Sequence, residues 1–187
     1  MSVEYCVVRV TPRIFKQLQQ QPSILQDLMD EFYTTSSDKK REKVYVDSRD
    51  VFRGSRIIVP PVLRMLYIDE FTTALLVNFM DESSAYFAAL VGWGNAQLLN
   101  GVSYGYGDIS YYPPDDAKTV ALKLNGYLHT LLEARFREQA DNFRVASAGY
   151  FDDDRAILAH QRTFADLLRR FYNEAVQDGD FVLLLIV

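Results

Sequence analysis

The final stretch of the chain, residues 150–187, constrains the fold more than any other part. It contains three adjacent aspartates, a long segment whose apolar residues recur at three- and four-residue intervals, a glycine, and the apolar run FVLLLIV. This spacing predicts a helix with one buried face. The aspartates suit the positive N-terminal end of that helix, and Gly179 can take the left-handed conformation that ends it. Because FVLLLIV does not alternate with polar residues, we expect a strand with both faces covered.

The opening residues predict a second strand of the same fold. VEYCVVRV, residues 3–10, is rich in β-branched and aromatic side chains, which favours a strand. A chain of 187 residues with a hydrophobic fraction of 49% suits a single domain over residues 1–187. We therefore expect an α+β fold, with one mixed β-sheet that includes the N-terminal and C-terminal strands and is packed by several α-helices.

Helical patterns account for much of the sequence between these strands. Thr11 and Pro12 predict the start of a short helix, because threonine can cap and proline fits the first helical position. A second helical pattern begins at Ser23, and residues 62–92 are predicted to be helical in two or three pieces. A further helix, introduced by a double proline, is predicted over residues 114–139.

Two segments are predicted to be loops. The polar and charged TTSSDKKRE, residues 34–42, is expected to be the most exposed part of the chain. Residues 95–116 hold three glycines, four tyrosines and a double proline, which predict an irregular loop with tight turns that presents several rings. Between these two segments, residues 44–46 favour a short strand.

Charge and cysteine content exclude several classes of protein. A formal charge of −5 and a pI near 5.0 disfavour nucleic acid and anionic membranes as partners, because both require clustered cations, whereas a basic protein partner is compatible. One cysteine excludes an internal disulfide and indicates a reducing compartment. The N-terminal sequence has no signal-peptide pattern, and the longest apolar stretches are too short to span a bilayer. We therefore expect a cytoplasmic protein.

Three pieces of the sequence carry a family resemblance. They are the opening strand followed by TPRIFKQL and PSILQDL, the segment GYGDISYYPPDDAKTVALKL, and the ending FADLLRRFYNEAVQDGDFVLLLIV. Together they resemble the bacterial family catalogued as domain of unknown function 1877, and the resemblance implies a small, single-domain α+β protein. The family often has an acidic, tryptophan-containing stretch in its middle third, whereas VYVDSRDVF at the corresponding place here contains no tryptophan. The resemblance implies no established activity.

Residue types that usually carry catalysis are sparse. His129 and His160 are the two histidines, and neither has a second histidine at four-residue spacing, so both are predicted to be structural or solvent-facing. Cys6 could pair with one of them as nucleophile and base, but a cysteine within an apolar strand is more often inert. We therefore lean against an enzyme and expect no cofactor and no metal.

Two short motifs allow both a functional and a structural interpretation. Asp152, Asp153 and Asp154 could bind a divalent cation, but adjacent residues that enter a helix point in different directions, which favours helix capping and solvation. YGYGDIS contains G-x-G, yet it lacks a third glycine at dinucleotide spacing and lacks a lysine followed by Ser or Thr. This segment is predicted to be a turn.

The most suggestive set of residues lies in the glycine-rich segment 95–116. Tyrosine rings beside carboxylates suit the recognition of a cationic protein surface, although the same tyrosines could instead pack against the core. With the three aspartates of residues 152–154, they make up the predicted partner-binding surface: Tyr104, Tyr106, Asp108, Tyr111, Tyr112, Asp152, Asp153 and Asp154.

Two functions from different classes follow from these patterns. The first is a non-enzymatic cytosolic protein-binding domain whose partner has a basic surface; an immunity protein that neutralises a cognate toxin is its concrete form. The second is an enzyme or small-ligand binder with a pocket near the loop from Gly101 to Gly107. This pocket would use Asp108 and a tyrosine. Convergent carboxylates in a deep pocket favour the second function, and a flat acidic surface favours the first.

Overall fold

The computed structural model of the chain describes residues 5–26, 45–47, 64–68, 85–92, 94–126, 129–141, 144 and 153–186. The predicted loop of residues 34–42, most of the predicted helical region before residue 85, and Asp152 lie outside the described residues.

One six-stranded sheet forms the centre of the fold. Its strands, in the spatial order β2-β3-β1-β6-β5-β4, are β1 Tyr5–Val10, β2 Tyr45–Asp47, β3 Arg64–Ile68, β4 Gln97–Tyr104, β5 Gly107–Tyr112 and β6 Phe181–Ile186. The α+β prediction, with the N-terminal and C-terminal strands in one sheet, is confirmed. Every pairing between the described strands is antiparallel, whereas the sequence analysis expected a mixed sheet.

Helices cover both faces of this sheet. They are α1 Pro12–Gln20, α2 Ala85–Val91, α3 Pro114–Gly126, α4 His129–Glu138 and α5 Asp154–Asp178. The start of α1 is as predicted, since the Thr11 side chain accepts a hydrogen bond from the Ile14 amide. The second helical pattern is present over residues 23–26, the part that the structure describes.

The C-terminal strand β6 is buried on both faces, as its unbroken apolar sequence predicted. Val182 and Leu184 belong to one hydrophobic cluster, which also contains residues of α2, α3 and α5. Leu183 and Leu185 belong to a second cluster on the other face, which contains residues of α1. Full burial of a Val or Leu side chain contributes about 1.5–3 kcal/mol to folding, so these four residues anchor both layers of the core.

Both ends of α5 carry the signals that the sequence indicated. At the N-terminal end, Asp153 caps the helix by accepting a hydrogen bond from the Ala156 amide at 2.7 Å. At the C-terminal end, Gly179 has the left-handed conformation, with φ 69° and ψ 31°. Its amide donates to the Val176 carbonyl and the next amide, of Asp180, donates to the Ala175 carbonyl, which is the Schellman arrangement.

A buried arginine ties the first strand to the end of α5, and the sequence analysis did not find it. Arg9 is fully buried and donates to the carboxylates of Glu174 at 2.7 Å, Asp178 at 2.6 Å and Asp180 at 2.9 Å. Its guanidinium also lies 5.8 Å from the centre of the Phe171 ring. A buried cation requires such partners, because leaving it unpaired costs several kcal/mol (roughly 3–5).

Three sequence predictions about secondary structure are wrong. Residues 64–68 form β3 rather than a helix, because pairing with β1 decides the conformation of a short apolar run. Residues 97–112 form the β4–β5 hairpin rather than an irregular loop. The single helix predicted over residues 114–139 is two helices, since α3 ends at Gly126 and glycine is a poor helix former.

Candidate functional site

The β4–β5 hairpin carries most of the residues that the sequence analysis singled out. Tyr104 pairs with Gly107, which leaves a two-residue turn of Gly105 and Tyr106. Gly105 has φ 62°, and a glycine with positive φ at the first turn position is what a type II′ hairpin requires. The Tyr106 amide donates to the Ile186 carbonyl at 3.2 Å, so the tip of the hairpin is attached to the end of β6.

Alternation along β5 sorts its side chains onto two faces of the sheet. Ile109 and Tyr111 pack with the cluster beneath α1. Asp108, Ser110 and Tyr112 point to the opposite face, which carries α3 and α5. The helices cover Tyr112 and leave Asp108 exposed, so the tip of the hairpin extends beyond the helical layer.

Tyr112 is a correction to the predicted partner-binding surface. Its side chain is 1% exposed, and its hydroxyl donates to the Ala88 carbonyl at 2.8 Å. Burial, with a smaller contribution from the Asp116 carboxylate, raises the pKa of Tyr112 well above its usual value. A phenol so enclosed cannot contact a partner, and its role is to attach β5 to α2.

Tyr104 and Tyr111 are half-buried and serve mainly as packing residues. Both lie against the cluster beneath α1. The Tyr111 ring lies 4.7 Å from the Phe15 ring, and its hydroxyl donates to Gln97 Oε1 at 2.7 Å. The alternative in which the tyrosines pack back on the core therefore describes Tyr112 fully, and Tyr104 and Tyr111 in large part.

Four exposed residues of the hairpin lie in its turn or on one and the same face of its two strands. Tyr106 is 67% exposed at the tip, and Asp108 is exposed beside it. Ser103 pairs with Asp108 across the strands and is exposed as well. Leu98, on β4, is 58% exposed. We call Leu98, Ser103, Tyr106 and Asp108 the hairpin surface.

Leu98 and Ser103 are the members of this surface that were not predicted from the sequence, and Leu98 is the one with a recognisable sequence signal. Its signal is the pair Leu98-Leu99, because successive residues of a strand point to opposite faces. Leu99 is buried, so its neighbour must face outward. Finding Leu98 required the prediction of a strand at this position, where the three glycines had predicted a loop.

The predicted aspartates of α5 are engaged within the chain. Asp153 caps the helix, as described above. Asp154 accepts two hydrogen bonds from Arg144, at 2.8 and 2.6 Å, and these bonds hold the pKa of its carboxyl below the usual value. Both residues therefore fit the capping and solvation alternative, and Asp152 lies outside the described residues.

A cleft of about 80 Å³ lies at the other end of the hairpin, near the start of β4. Its lining comes from α2, the turn before β4, the end of β5 and one face of α3: Ala88, Gly94, Asn95, Tyr112, Asp116, Thr119, Val120 and Lys123. The alternative prediction placed a pocket near residues 101–107. None of those residues lines this cleft.

Histidine and cysteine do not meet in the part of the chain that the structure describes. Cys6 is fully buried, and burial raises the pKa of its thiol to about 12, so it is not a thiolate nucleophile at neutral pH. His129 Nε2 lies 3.0 Å from Asp166 Oδ1, in a contact between α4 and α5. Among the described residues, no three His, Cys, Asp or Glu side chains are placed to hold a metal ion.

Comparison with known proteins supports the fold and assigns no activity. No protein-family model matches the chain, and no curated protein matches it in sequence. The crystal structure of YfbM, a protein of unknown function from Escherichia coli, is similar to it with a TM-score of 0.57 over 99% of both chains. The two sequences are 14% identical, so the likeness concerns the fold alone.

Within the described residues, no helix combines the length and the apolar character needed to cross a membrane.

Proposed function

We propose that this protein is a non-enzymatic protein-binding domain that contacts its partner through the hairpin surface. One observation carries the proposal. Among the described residues, four large hydrophobic side chains are exposed, and two of them, Leu98 and Tyr106, lie on this one hairpin. An exposed tyrosine and an exposed leucine on one element are the kind of residues that anchor protein interfaces.

The position of β4 in the sheet supports the same proposal. β4 is the last strand in the order of described strands, so its outer backbone groups pair with no other described strand. A partner can add a strand to such an edge, with main-chain hydrogen bonds giving affinity and side chains giving specificity. The register between β4 and β5 shifts between Leu98 and Ser103, and this interruption of regular pairing limits unspecific association of the edge.

Charge indicates the chemistry of the partner. Asp108 is the carboxylate of the hairpin surface, and the whole chain carries a formal charge of −5. A partner with a basic surface would associate faster with this protein at low ionic strength. The concrete form that we propose is a cytoplasmic immunity protein that neutralises a toxin, with the basic surface on the toxin.

The proposal is tested by affinity purification from the native host at low and high salt. The wild-type chain should recover one stoichiometric partner, in larger amount at low salt. Tyr106→Ala should weaken that complex by about 30-fold or more, because an anchoring aromatic residue contributes about 2 kcal/mol or more. Asp108→Asn should mainly slow association and reduce its salt dependence.

Leu122→Ala is the matched control for this experiment. Leu122 is 63% exposed on α3, about as much as Tyr106 is on the hairpin. Its substitution removes an exposed apolar side chain away from the hairpin, so binding should be unchanged. Recovery of the same partner by the wild-type chain and by Tyr106→Ala would contradict the proposed surface. The immunity form requires that co-expression with the partner abolish the partner's toxicity.

A further inference from the structure

The cleft beside α3 has polar groups at both of its ends, and the binding surface proposed above does not use it. Asp116, Thr119, Val120 and Lys123 follow the three- and four-residue spacing that places residues on one face of a helix. Asp116 lies near the N-terminal end of this face and Lys123 near its C-terminal end. The two residues are seven positions apart, which corresponds to about 10 Å along the helix axis.

The two charges of the cleft are of opposite sign and are not paired with each other. Within the described residues, neither Asp116 nor Lys123 takes part in an ion pair. The Asn95 side-chain amide donates a long hydrogen bond to the Asp116 carboxylate, with 3.5 Å between Nδ2 and Oδ1. In the described part of the chain, an anion and a cation therefore border the same space, where a ligand that carries both charges could contact each of them.

The floor between these charges is mostly apolar. Ala88, Val120 and Tyr112 line the cleft and are buried, and the Tyr112 hydroxyl donates to the Ala88 carbonyl. Gly94 and Asn95 form the wall opposite α3. The cleft therefore shares with ligand sites the combination of an apolar lining and a few polar groups.

The size of the cleft limits its ligand. A group the size of a water molecule requires about 10–15 Å³ of cavity volume. A cleft of about 80 Å³ therefore holds roughly five to eight such groups. Glycine, alanine and serine fall within this range. An amino acid with an aromatic side chain exceeds it.

We propose that this cleft binds a small zwitterion that carries an ammonium and a carboxylate group, such as a small α-amino acid. The ammonium group lies at the Asp116 and Asn95 end. The carboxylate lies toward Thr119 and Lys123, which both line the cleft. The site is independent of the hairpin surface.

Titration of the ¹⁵N-labelled full chain, followed by NMR, tests this site. Glycine, L-alanine and L-serine should each shift the amides of Gly94, Asn95 and Thr119 in a saturable manner, with a dissociation constant on the order of 1 mM. Methylammonium carries only the ammonium group and acetate only the carboxylate group. Each should bind at least about tenfold more weakly than glycine. L-Phenylalanine should not bind at all.

Two substitutions and one control separate the site from nonspecific effects. Asp116→Asn and Lys123→Met should each weaken glycine binding about tenfold, the effect of one charge-assisted contact. Lys118→Met changes an exposed lysine of the same helix outside the cleft, and it should bind glycine as the wild type does. Lys123 is itself exposed, so its variant keeps the fold even if Asp116→Asn disturbs it.

Two results would overturn the inference. The first is the absence of a saturable shift at the cleft amides up to about 50 mM glycine, far above the expected constant. The second is equal binding by the wild type, Asp116→Asn and Lys123→Met, which would place the ligand elsewhere.

Discussion

Arg9 connects parts of the chain that are far apart in sequence. Its guanidinium meets carboxylates at the end of α5 and just before β6, and the Asp180 side chain is buried with it. Arg9→Met should lower the free energy of unfolding by about 3–5 kcal/mol, because it leaves Asp180 buried without its cation. Urea denaturation measures this loss.

Arg170→Met is the control for that measurement. Arg170 is on α5, and its Nε lies 3.9 Å from Glu174 Oε1, but its side chain is mostly exposed. An exposed pair contributes little, so the control should change stability by less than about 1 kcal/mol. Equal effects of the two substitutions would contradict the role given to Arg9.

Gly92 is a glycine that the packing requires. Its φ is 81°, and a Cβ at this position would lie 2.8 Å from Leu184 Cδ1, in the central strand. Gly92→Ala should destabilise the fold by about 2 kcal/mol or more, from the left-handed backbone and from the overlap together. Chemical denaturation of Gly92→Ala and Gly101→Ala tests the two causes.

Gly101→Ala isolates the backbone contribution. Gly101 has a similar φ of 75°, but no atom lies within 4 Å of its Cβ position. The substitution should therefore cost only about 1 kcal/mol. If both substitutions cost the same, the close approach of Gly92 to Leu184 has no energetic weight.

At the scale of the element, α5 is the helix whose ends are most clearly defined by single residues. Asp153→Ala removes the hydrogen bond to the Ala156 amide and should cost about 1 kcal/mol. Thermal unfolding of Asp153→Ala and of Asp153→Asn measures this, since asparagine caps as well as aspartate does. An equal loss in both variants would contradict the capping role.

The same end of α5 gives the fold a pH dependence in acid. Arg144 lowers the pKa of Asp154 below its usual value of 3.8, so the ionised form is favoured by folding. This contribution is complete above the unfolded pKa and is lost as the pH falls through the folded pKa. Asp154→Asn should therefore lower the melting temperature slightly at neutral pH, because an exposed pair contributes little, and should flatten its fall below about pH 4 by the same small amount.

The elements also differ in how far the sequence alone predicted them. α5 and β6 were predictable because periodicity, an N-terminal aspartate and a C-terminal glycine all indicate the same boundaries. β3 was not, because its five residues RMLYI fit a helix or a strand and the pairing with β1 decides between them. In the hairpin, Gly101 lies where the register of β4 shifts, Gly105 lies in the turn and Gly107 begins β5, so the glycines are compatible with two strands.

Prediction of the candidate site was limited by the same missed hairpin. Tyr106 is exposed in the turn and Asp108 is exposed at the second position of β5, close to that turn. The burial of Tyr112 and the exposure of Leu98 depend on which face each strand residue takes, and only the strand register fixes that. The cleft could not be predicted, because it forms where α3 and the turn before β4 lie together, and no local sequence pattern indicates that contact.

In the whole molecule, β6 has a central position that the rest of the fold depends on. This strand lies between β1 and β5, and through β5 it supports the hairpin that carries the proposed binding surface. The cluster on each face of the sheet contains two residues of β6, so neither layer is complete without it. Loss of this strand would separate the hairpin from the N-terminal half of the sheet.

Hydrogen–deuterium exchange of the native chain tests this position most directly. The amides of Val182, Leu183, Leu184 and Leu185 should exchange only through global unfolding, at least about 10⁴-fold more slowly than the exposed turn at Gly94 and Asn95. Exchange of the β6 amides within seconds, at the rate of that turn, would contradict the account.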